Sequence, residues 1–204
     1  MKPEATGIHF INLVPAARSR TNQILFNGSG VAAGDVDGDG LCDLYFARLN
    51  GSNALYRNLG GWRFEDITGS AGVACANLDS TGVALADLDG DGDLDLVVNT
   101  LGNGTHIFLN DGKGHFTELT KNAPLNFGKG GMSLALGDLD GDGFLDLYVA
   151  NYRTLALMDL PNARFFFKRG PDGKQYVNTF NGRSGTEPDI VNRFIVSPAG
   201  GIDE

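Results

Sequence analysis

The sequence predicts an all-β chain, a β-propeller built of four-stranded blades, and three observations carry the prediction. A nine-residue stretch occurs three times: Asp35-Val36-Asp37-Gly38-Asp39-Gly40-Leu41-Cys42-Asp43, Asp87-Leu88-Asp89-Gly90-Asp91-Gly92-Asp93-Leu94-Asp95 and Asp138-Leu139-Asp140-Gly141-Asp142-Gly143-Phe144-Leu145-Asp146. The copies begin 52 and then 51 residues apart. Between them, short apolar runs alternate with Gly, Asn and Asp breaks, and no segment of ten or more residues carries a convincing 3.6-residue period. A four-stranded meander recurring about every 50 residues is the pattern of a propeller blade.

The elements follow in order. Residues 1–30 hold two apolar-rich runs, 7–14 and 23–26, and the first is expected to supply a strand that completes another blade. The first blade is expected over 31–81, with strands near 30–35, 43–48, 53–58 and 62–67. The second is expected over 82–130, with strands at 82–87, 94–100, 105–110 and 115–120. Its later breaks, Leu101-Gly102-Asn103-Gly104 and Asp111-Gly112-Lys113-Gly114, carry hairpin turn chemistry. The likeness of these two repeats extends beyond the acidic stretch. Counted from the first Asp, offset 23 is Asn58 and Asn110, offset 29 is Phe64 and Phe116, and offset 33 is Thr68 and Thr120.

The third repeat, 131–204, starts on schedule with strands at 131–138 and 145–151 and then departs, with Pro161 at offset 23. Residues 152–191 are read as an insertion. Within it, 152–161 is a short helix or an irregular excursion, and 163–168 and 175–180 form a hairpin. A run at 192–197 is expected to be the blade's third strand. Closed propellers have at least four blades, and open arcs leave unpaired edges. The sequence is therefore expected to be part of a larger propeller. The alternative is that neighbouring subunits close the arc.

The repeated stretch has the chemistry of a cation loop. Carboxylates at positions 1, 3, 5 and 9 would repel one another unless a positive charge offset them. Ca²⁺ accepts six to eight oxygen ligands from carboxylates, carbonyls and water. The expected ligands are Asp35, Asp37, Asp39, Asp43 and the carbonyl of Leu41; Asp87, Asp89, Asp91, Asp95 and residue 7 of that loop, Asp93; and Asp138, Asp140, Asp142, Asp146 and the carbonyl of Phe144. Gly at position 6 permits the positive φ of a tight wrap. An EF-hand is disfavoured, because it needs a Glu at position 12 and flanking helices. Position 12 here is Phe46, Val98 and Val149. Acidic turns that bind nothing are the other alternative, and three copies at one spacing weigh against it. A structural role for three Ca²⁺ ions is favoured over a catalytic or sensing one.

Composition narrows the function classes. Of 25 acidic residues, 13 lie in the three loops, so the formal charge of −9 is local, and three bound divalent cations would bring it to −3. No basic stripe suggests nucleic acid as a partner. No run of 18 apolar residues spans a membrane. The first residues lack the apolar core of a signal peptide, whereas Ca²⁺ loops of modest affinity suit an extracellular or periplasmic setting. Cys42 and Cys75 are too few for a disulfide scaffold; they are buried thiols or a single pair. His9, His106 and His115 read as surface or hairpin positions, Ser19, Ser133 and Ser184 lack a nucleophile context, and Gly28-Ser29-Gly30 and Gly128-Lys129-Gly130-Gly131 read as turns. Phe165-Phe166-Phe167-Lys168-Arg169 is a strand or a recognition element.

The acidic stretch between the first two strands of a blade resembles the FG-GAP/VCBS repeat, which builds the seven-bladed propeller of integrin alpha chains. "GVAAGDVDGDGLCDLYFA", "LYRNLGGWRFEDIT" and "HIFLNDGKGHFTELT" are similar to bacterial proteins of the ASPIC/UnbV (cartilage acidic protein) group. The resemblance implies secreted or surface-anchored chains with further repeats. It also implies a possible Cys42–Cys75 disulfide. The function expected is a non-enzymatic, calcium-stabilised extracellular scaffold for a protein or glycan. The alternatives are a structural subunit of a surface assembly and a Ca²⁺-dependent carbohydrate-active enzyme domain.

Overall fold

The computed structural model describes residues 3–123, 125–152, 165–173, 175–180, 183–184, 195–196 and 202–203. The chain divides into two compact units, Met1–Thr154 and Leu155–Glu204.

In the first unit, strands β1 (Val31–Gly34), β2 (Asp43–Phe46), β3 (Ala54–Asn58) and β4 (Phe64–Asp66) form one antiparallel meander in chain order. Strands β5 (Ser80–Ala86), β6 (Asp95–Thr100), β7 (Gly104–Asn110) and β8 (Phe116–Glu118) form the second. Strands β9 (Gly130–Gly137) and β10 (Asp146–Tyr152) begin a third. The register repeats with the sequence. Gly34 pairs with Asp43, Ala86 with Asp95, and Gly137 with Asp146, so the same two positions close all three acidic loops. Tyr45 pairs with Leu55 as Val97 pairs with Ile107, and Asn58 pairs with Phe64 as Asn110 pairs with Phe116. The chain is all-β, a partial β-propeller, and its described residues hold two full blades and the first two strands of another.

Alternation within the strands stacks the blades. Side chains of successive strand residues point to opposite faces. Tyr45 and Leu55 of the first blade, with Val36, Ala71 and Val73 from its connecting segments, pack against Leu96, Val98 and Phe108 of the second. The intervening residue Val97 faces the other way, lining a hollow with Ile107, Leu109, Leu136 and Leu147. All six residues of β6 are therefore buried, which fits a strand sandwiched between blades. Tyr45 brings a hydroxyl into this core and satisfies it: it donates to the Val73 carbonyl at 2.8 Å and accepts from Asn53 Nδ2 at 2.7 Å.

The innermost strands approach closely. Gly30 N donates to the Thr81 carbonyl at 2.6 Å, and Thr81 Oγ1 donates to the Asn99 carbonyl at 3.2 Å and also to that of Gly131. A Cβ on Gly82 would stand 2.6 Å from the Met132 carbonyl oxygen. Only glycine permits β5 and β9 to meet here.

The structure corrects the N-terminal expectation. Residues 7–15 enter no strand ladder. The run lies against the first blade, with Ile8 and Phe10 packing on Ala54, Tyr56 and Phe64. The Phe10 ring stacks on Phe46 at 5.0 Å, and His9 N donates to Tyr56 Oη at 3.2 Å. Ile8 and Phe10 are half-buried by this sheet-face contact, whereas Ile11 and Leu13 of the same run stay exposed. The run at 23–26 is a 3₁₀ turn, Gln23–Asn27, begun by Asn22 accepting from Ile24 N and burying Ile24 and Leu25. A one-turn helix at Thr68–Ala71, absent from the sequence reading, ends the first blade.

In the second unit, β11 (Phe165–Arg169) pairs antiparallel with β12 (Gln175–Phe180), as the hairpin expectation has it, and β13 (Arg183–Ser184) joins β12. Strand β14 (Ile195–Val196), inside the run at 192–197, pairs with β15 (Ile202–Asp203). The excursion expected over 152–161 lies outside the described residues beyond Tyr152.

The β5–β9 approach gives a direct test. Gly82→Ala is expected to lower stability by about 1–3 kcal/mol, because a backbone carbonyl must move. Gly38→Ala is not its equal: a Cβ on Gly38 would meet only the Gly112 carbonyl oxygen at an ordinary 3.9 Å, but its φ is 72°, so its cost is conformational, about 1 kcal/mol. Urea unfolding of the two variants measures both.

Candidate metal centre

Each acidic loop is built from the inside outward, starting at its ninth residue. Asp43 is buried beneath the first loop, where Oδ2 accepts Val36 N at 2.9 Å and Oδ1 accepts Asn58 N at 2.7 Å. Asp95 repeats this with Leu88 N at 2.8 Å and Asn110 N at 2.9 Å. Asp146 Oδ2 accepts Leu139 N at 2.9 Å. One carboxylate thus ties position 2 of its own loop to the end of the third strand. The ninth residue was expected as a metal ligand; the structure gives it a second task, closing the loop.

The first residue then wraps the loop. Asp35 accepts from Gly38 N at 2.9 Å and Gly40 N at 2.8 Å, and Asp87 accepts from Gly90 N at 2.7 Å and Gly92 N at 3.1 Å. Asp138 does the same with Gly141 N at 2.7 Å and Gly143 N at 3.0 Å. The fifth residue accepts the N–H of the seventh in every copy: Asp39 from Leu41, Asp91 from Asp93 and Asp142 from Phe144. The glycines at positions 4 and 6 take φ between 72° and 95° in all three loops, which side chains disfavour.

This folding brings carboxylates together. Oxygens of Asp35, Asp37 and Asp39 lie within 4.8 Å of one another, as do those of Asp87, Asp89 and Asp95, and of Asp138, Asp140 and Asp146. Positions 1 and 3 take part in every group; the third member is position 5 in the first loop and position 9 in the others. Such convergent oxygens suit a hard cation. One atom supports the fit at the first loop: Asp37 Oδ1 is shielded from solvent and has no hydrogen-bond partner. Unpaired buried oxygens are costly, and a cation would satisfy this one.

Electrostatics agree with the crowding. Burial pushes the Asp43 carboxyl above its ordinary value of 3.8, against the hydrogen bonds from Val36 and Asn58. Partial desolvation, with the neighbouring carboxylates, pushes Asp89 and Asp93 upward as well.

Two repeated residues, Asn58 and Asn110, hold the loops although their role was not read from the sequence. Asn58 Nδ2 donates to the Cys42 carbonyl at 2.9 Å. Asn110 Nδ2 donates to the Leu94 carbonyl at 3.1 Å and, across the blades, to the Val36 carbonyl at 2.8 Å. Their recurrence at offset 23 was the available signal. The repeated threonines at offset 33 act alike: Thr68 Oγ1 accepts Leu55 N and Thr120 Oγ1 accepts Ile107 N, each at 2.9 Å.

The cysteine pairing is corrected. Cys42 and Cys75 are both free thiols. Cys42 is exposed in the first loop, whereas Cys75 packs on the core between the blades with its sulfur 3.9 Å from Tyr45 Oη. Burial pushes the Cys75 thiol up to about 11. His106, expected at a surface or hairpin position, lies on β7, where its side chain is largely shielded and pairs through Nδ1 with Glu118 Oε1 at 2.7 Å. His115 Nδ1 lies 3.4 Å from Asp111 Oδ2.

Four-stranded antiparallel blades whose first hairpin is an acidic, glycine-wrapped loop define a β-propeller repeat protein. A model of the FG-GAP-like repeat matches residues 35–98 and 87–149, more than half of the chain, and the chain belongs to that family. It is 29% identical over 175 residues to cartilage acidic protein 1 of Xenopus tropicalis, covering 79% of this chain and 25% of that protein. It is 29% identical over 168 residues to cartilage acidic protein 1 of Homo sapiens, covering 79% and 24%. The chain thus spans about a quarter of the length of the curated relatives it matches. Among solved structures, the V. cholerae biofilm matrix protein Bap1 aligns at 23% identity with a TM-score of 0.36, over 84% of this chain and 29% of that one.

Two outcomes follow for the metal-free protein. Asp95→Ala strands the buried N–H of Asn110 and the half-buried N–H of Leu88 and is expected to cost about 2–4 kcal/mol, while Asp91→Ala, on the exposed rim, stays within about 0.5 kcal/mol. Asp89 and Asp93 have folded pKa values above their unfolded ones, so folding takes up protons and their contribution to stability falls as pH rises above 3.8. Asp89→Asn is therefore expected to raise the metal-free melting temperature near neutral pH and to lose that advantage below the ordinary Asp value. Melting curves in chelator across the acid range check the sign.

Proposed function

We propose that each acidic loop holds one Ca²⁺ and that the ions fasten the blades of an extracellular, non-enzymatic scaffold that binds a protein or a glycan. The observation that carries this reading is the recurrence of a three-carboxylate cluster built on positions 1 and 3, at one strand register, in all three repeats. A site made for chemistry need occur once; a fastener recurs with the unit it fastens.

The carboxylates at positions 1, 3, 5 and 9 and the carbonyls of Leu41, Asp93 and Phe144 are the ligands this reading assigns. The ion would supply positive charge that offsets the carboxylate repulsion and couples folding to metal. The chain's own residues do the rest. The buried ninth Asp anchors the loop, the glycines let it turn, and Asn58 and Asn110 hold its end. Extracellular Ca²⁺ is abundant enough to fill loops of moderate affinity, which supports a secreted or surface setting. Among the described residues no helix is long and apolar enough to cross a membrane.

Thermal unfolding with and without EGTA tests the metal. A ligand present at a hundred times its Kd adds about 2.7 kcal/mol per site, so chelation is expected to lower the melting temperature by several degrees. An unchanged melting temperature would refute the reading. Calorimetric titration is expected to count three sites, and Asp89→Ala to remove one.

A further inference from the structure

The three loops are near-copies in sequence, but their surroundings differ at one place. Offset 22 of the repeat is Arg57 in the first blade and Leu109 in the second. Arg57 lies on β3 and pairs with Glu65 of β4, Nη2 to Oε2 at 2.6 Å. Its Nη1 stands 3.8 Å from Oδ2 of Asp37, the third-position carboxylate of the first loop. The Asp37 side chain is only 13% exposed, and its other oxygen is the unpartnered one. Among the described residues, no basic side chain forms an ion pair with a carboxylate of the second or third loop. The second loop departs the opposite way. Its seventh residue is a fifth carboxylate, Asp93, which lies against Gly112 beside Asp111.

We propose that Arg57 sets the cation affinity of the first loop: its guanidinium shares Asp37 with the incoming divalent ion, so this loop fills last and the second loop fills first. The proposal rests on the calcium reading above and adds an order to it. A positive charge about 4 Å from a ligand carboxylate works against a dication through the same oxygens, and partial exposure screens it. About a tenfold weakening is the scale expected. Glu65 moderates the effect, because it holds the guanidinium from the other side.

The consequence falls on the joint between the first two blades. The first loop is the one that touches the second blade. Asn110 Nδ2 donates to the Val36 carbonyl at 2.8 Å, and a Cβ at Gly114 would lie 3.8 Å from Asp37 Cβ. The second blade is thus fastened at low free cation, and the joint to the first blade is fastened only at higher levels. Arg57 makes that joint the cation-responsive part of the arc.

Tb³⁺ luminescence excited selectively through tryptophan favours the first loop. Trp62 is the chain's single tryptophan and lines one hollow with Leu41 and Cys42 of that loop, so excitation through Trp62 sensitises an ion bound there. Calorimetry on the same 204-residue chain counts all sites. In the wild type, the Trp62-sensitised signal is expected to saturate after the tighter calorimetric phase. Arg57→Leu, which installs the residue of the second blade, is expected to tighten the luminescent site about tenfold, less so at high salt. Arg57→Lys retains most of the wild-type weakness, and Glu65→Gln weakens the site further. A luminescent site that Arg57→Leu leaves unchanged or weakens overturns the proposal while calorimetry still counts three sites. Calorimetry showing no binding at any loop overturns the calcium reading itself, and the proposal with it. Metal-free melting of each variant confirms that it is folded.

Discussion

The structure depends on one buried carboxylate per blade. Asp43 and Asp95 sit beneath their loops with no solvent contact, each accepting one N–H from its own loop and one from the end of the third strand. A buried carboxylate is tolerated only when its oxygens are satisfied. Here the partners are backbone N–H groups that no strand ladder uses. The arrangement closes the first hairpin at a fixed pair and fixes where the third strand ends. The remaining carboxylates of the loop are left facing a common centre. Loop, register and candidate metal centre are thus set by the same atom pairs.

Blade stacking extends the same logic across the repeats. The core between the first two blades is apolar, but its rim is polar and specific. Asn110 reaches from the second blade to the first loop's backbone, and the turn at Gly112 and Gly114 lies over that loop. At the opposite rim, Arg18 joins Asp79 at 2.7 Å and Asn50 at 2.9 Å, tying the N-terminal helix Ala16–Thr21 to the connections of the first blade. The acidic loops are therefore part of the blade interfaces, and charge placed beside one of them acts on how blades join.

Much of this was legible in the sequence because a repeat states its constraints more than once. The 52- and 51-residue spacing located both full blades and the first half of the third, and the strand registers matched across them. The offsets that recurred without an obvious chemistry, Asn58 with Asn110 and Thr68 with Thr120, are the residues that hold loop ends and strand N–H groups. The recurrence was visible; the hydrogen bonds were not, because their partners lie 13 to 16 residues away in sequence. The N-terminal run misled for the opposite reason. An apolar alternation such as Ile8 and Phe10 records that side chains meet a surface, and here that surface is a sheet face that half-buries those two and leaves Ile11 and Leu13 exposed.

The sequence by itself determined the fold class, the period, the three loops and the identity of their carboxylates. These are local: a loop of nine residues encodes its own wrap through Asp acceptors and glycine φ. The tertiary structure alone decided which carboxylates converge, that the ninth is an anchor as well as a candidate ligand, and that the cysteines are apart. It also decided that Arg57 stands beside only one of three similar loops. Those outcomes depend on which strand ends meet, and distance in space between residues far apart in the chain is not written in any one stretch of it.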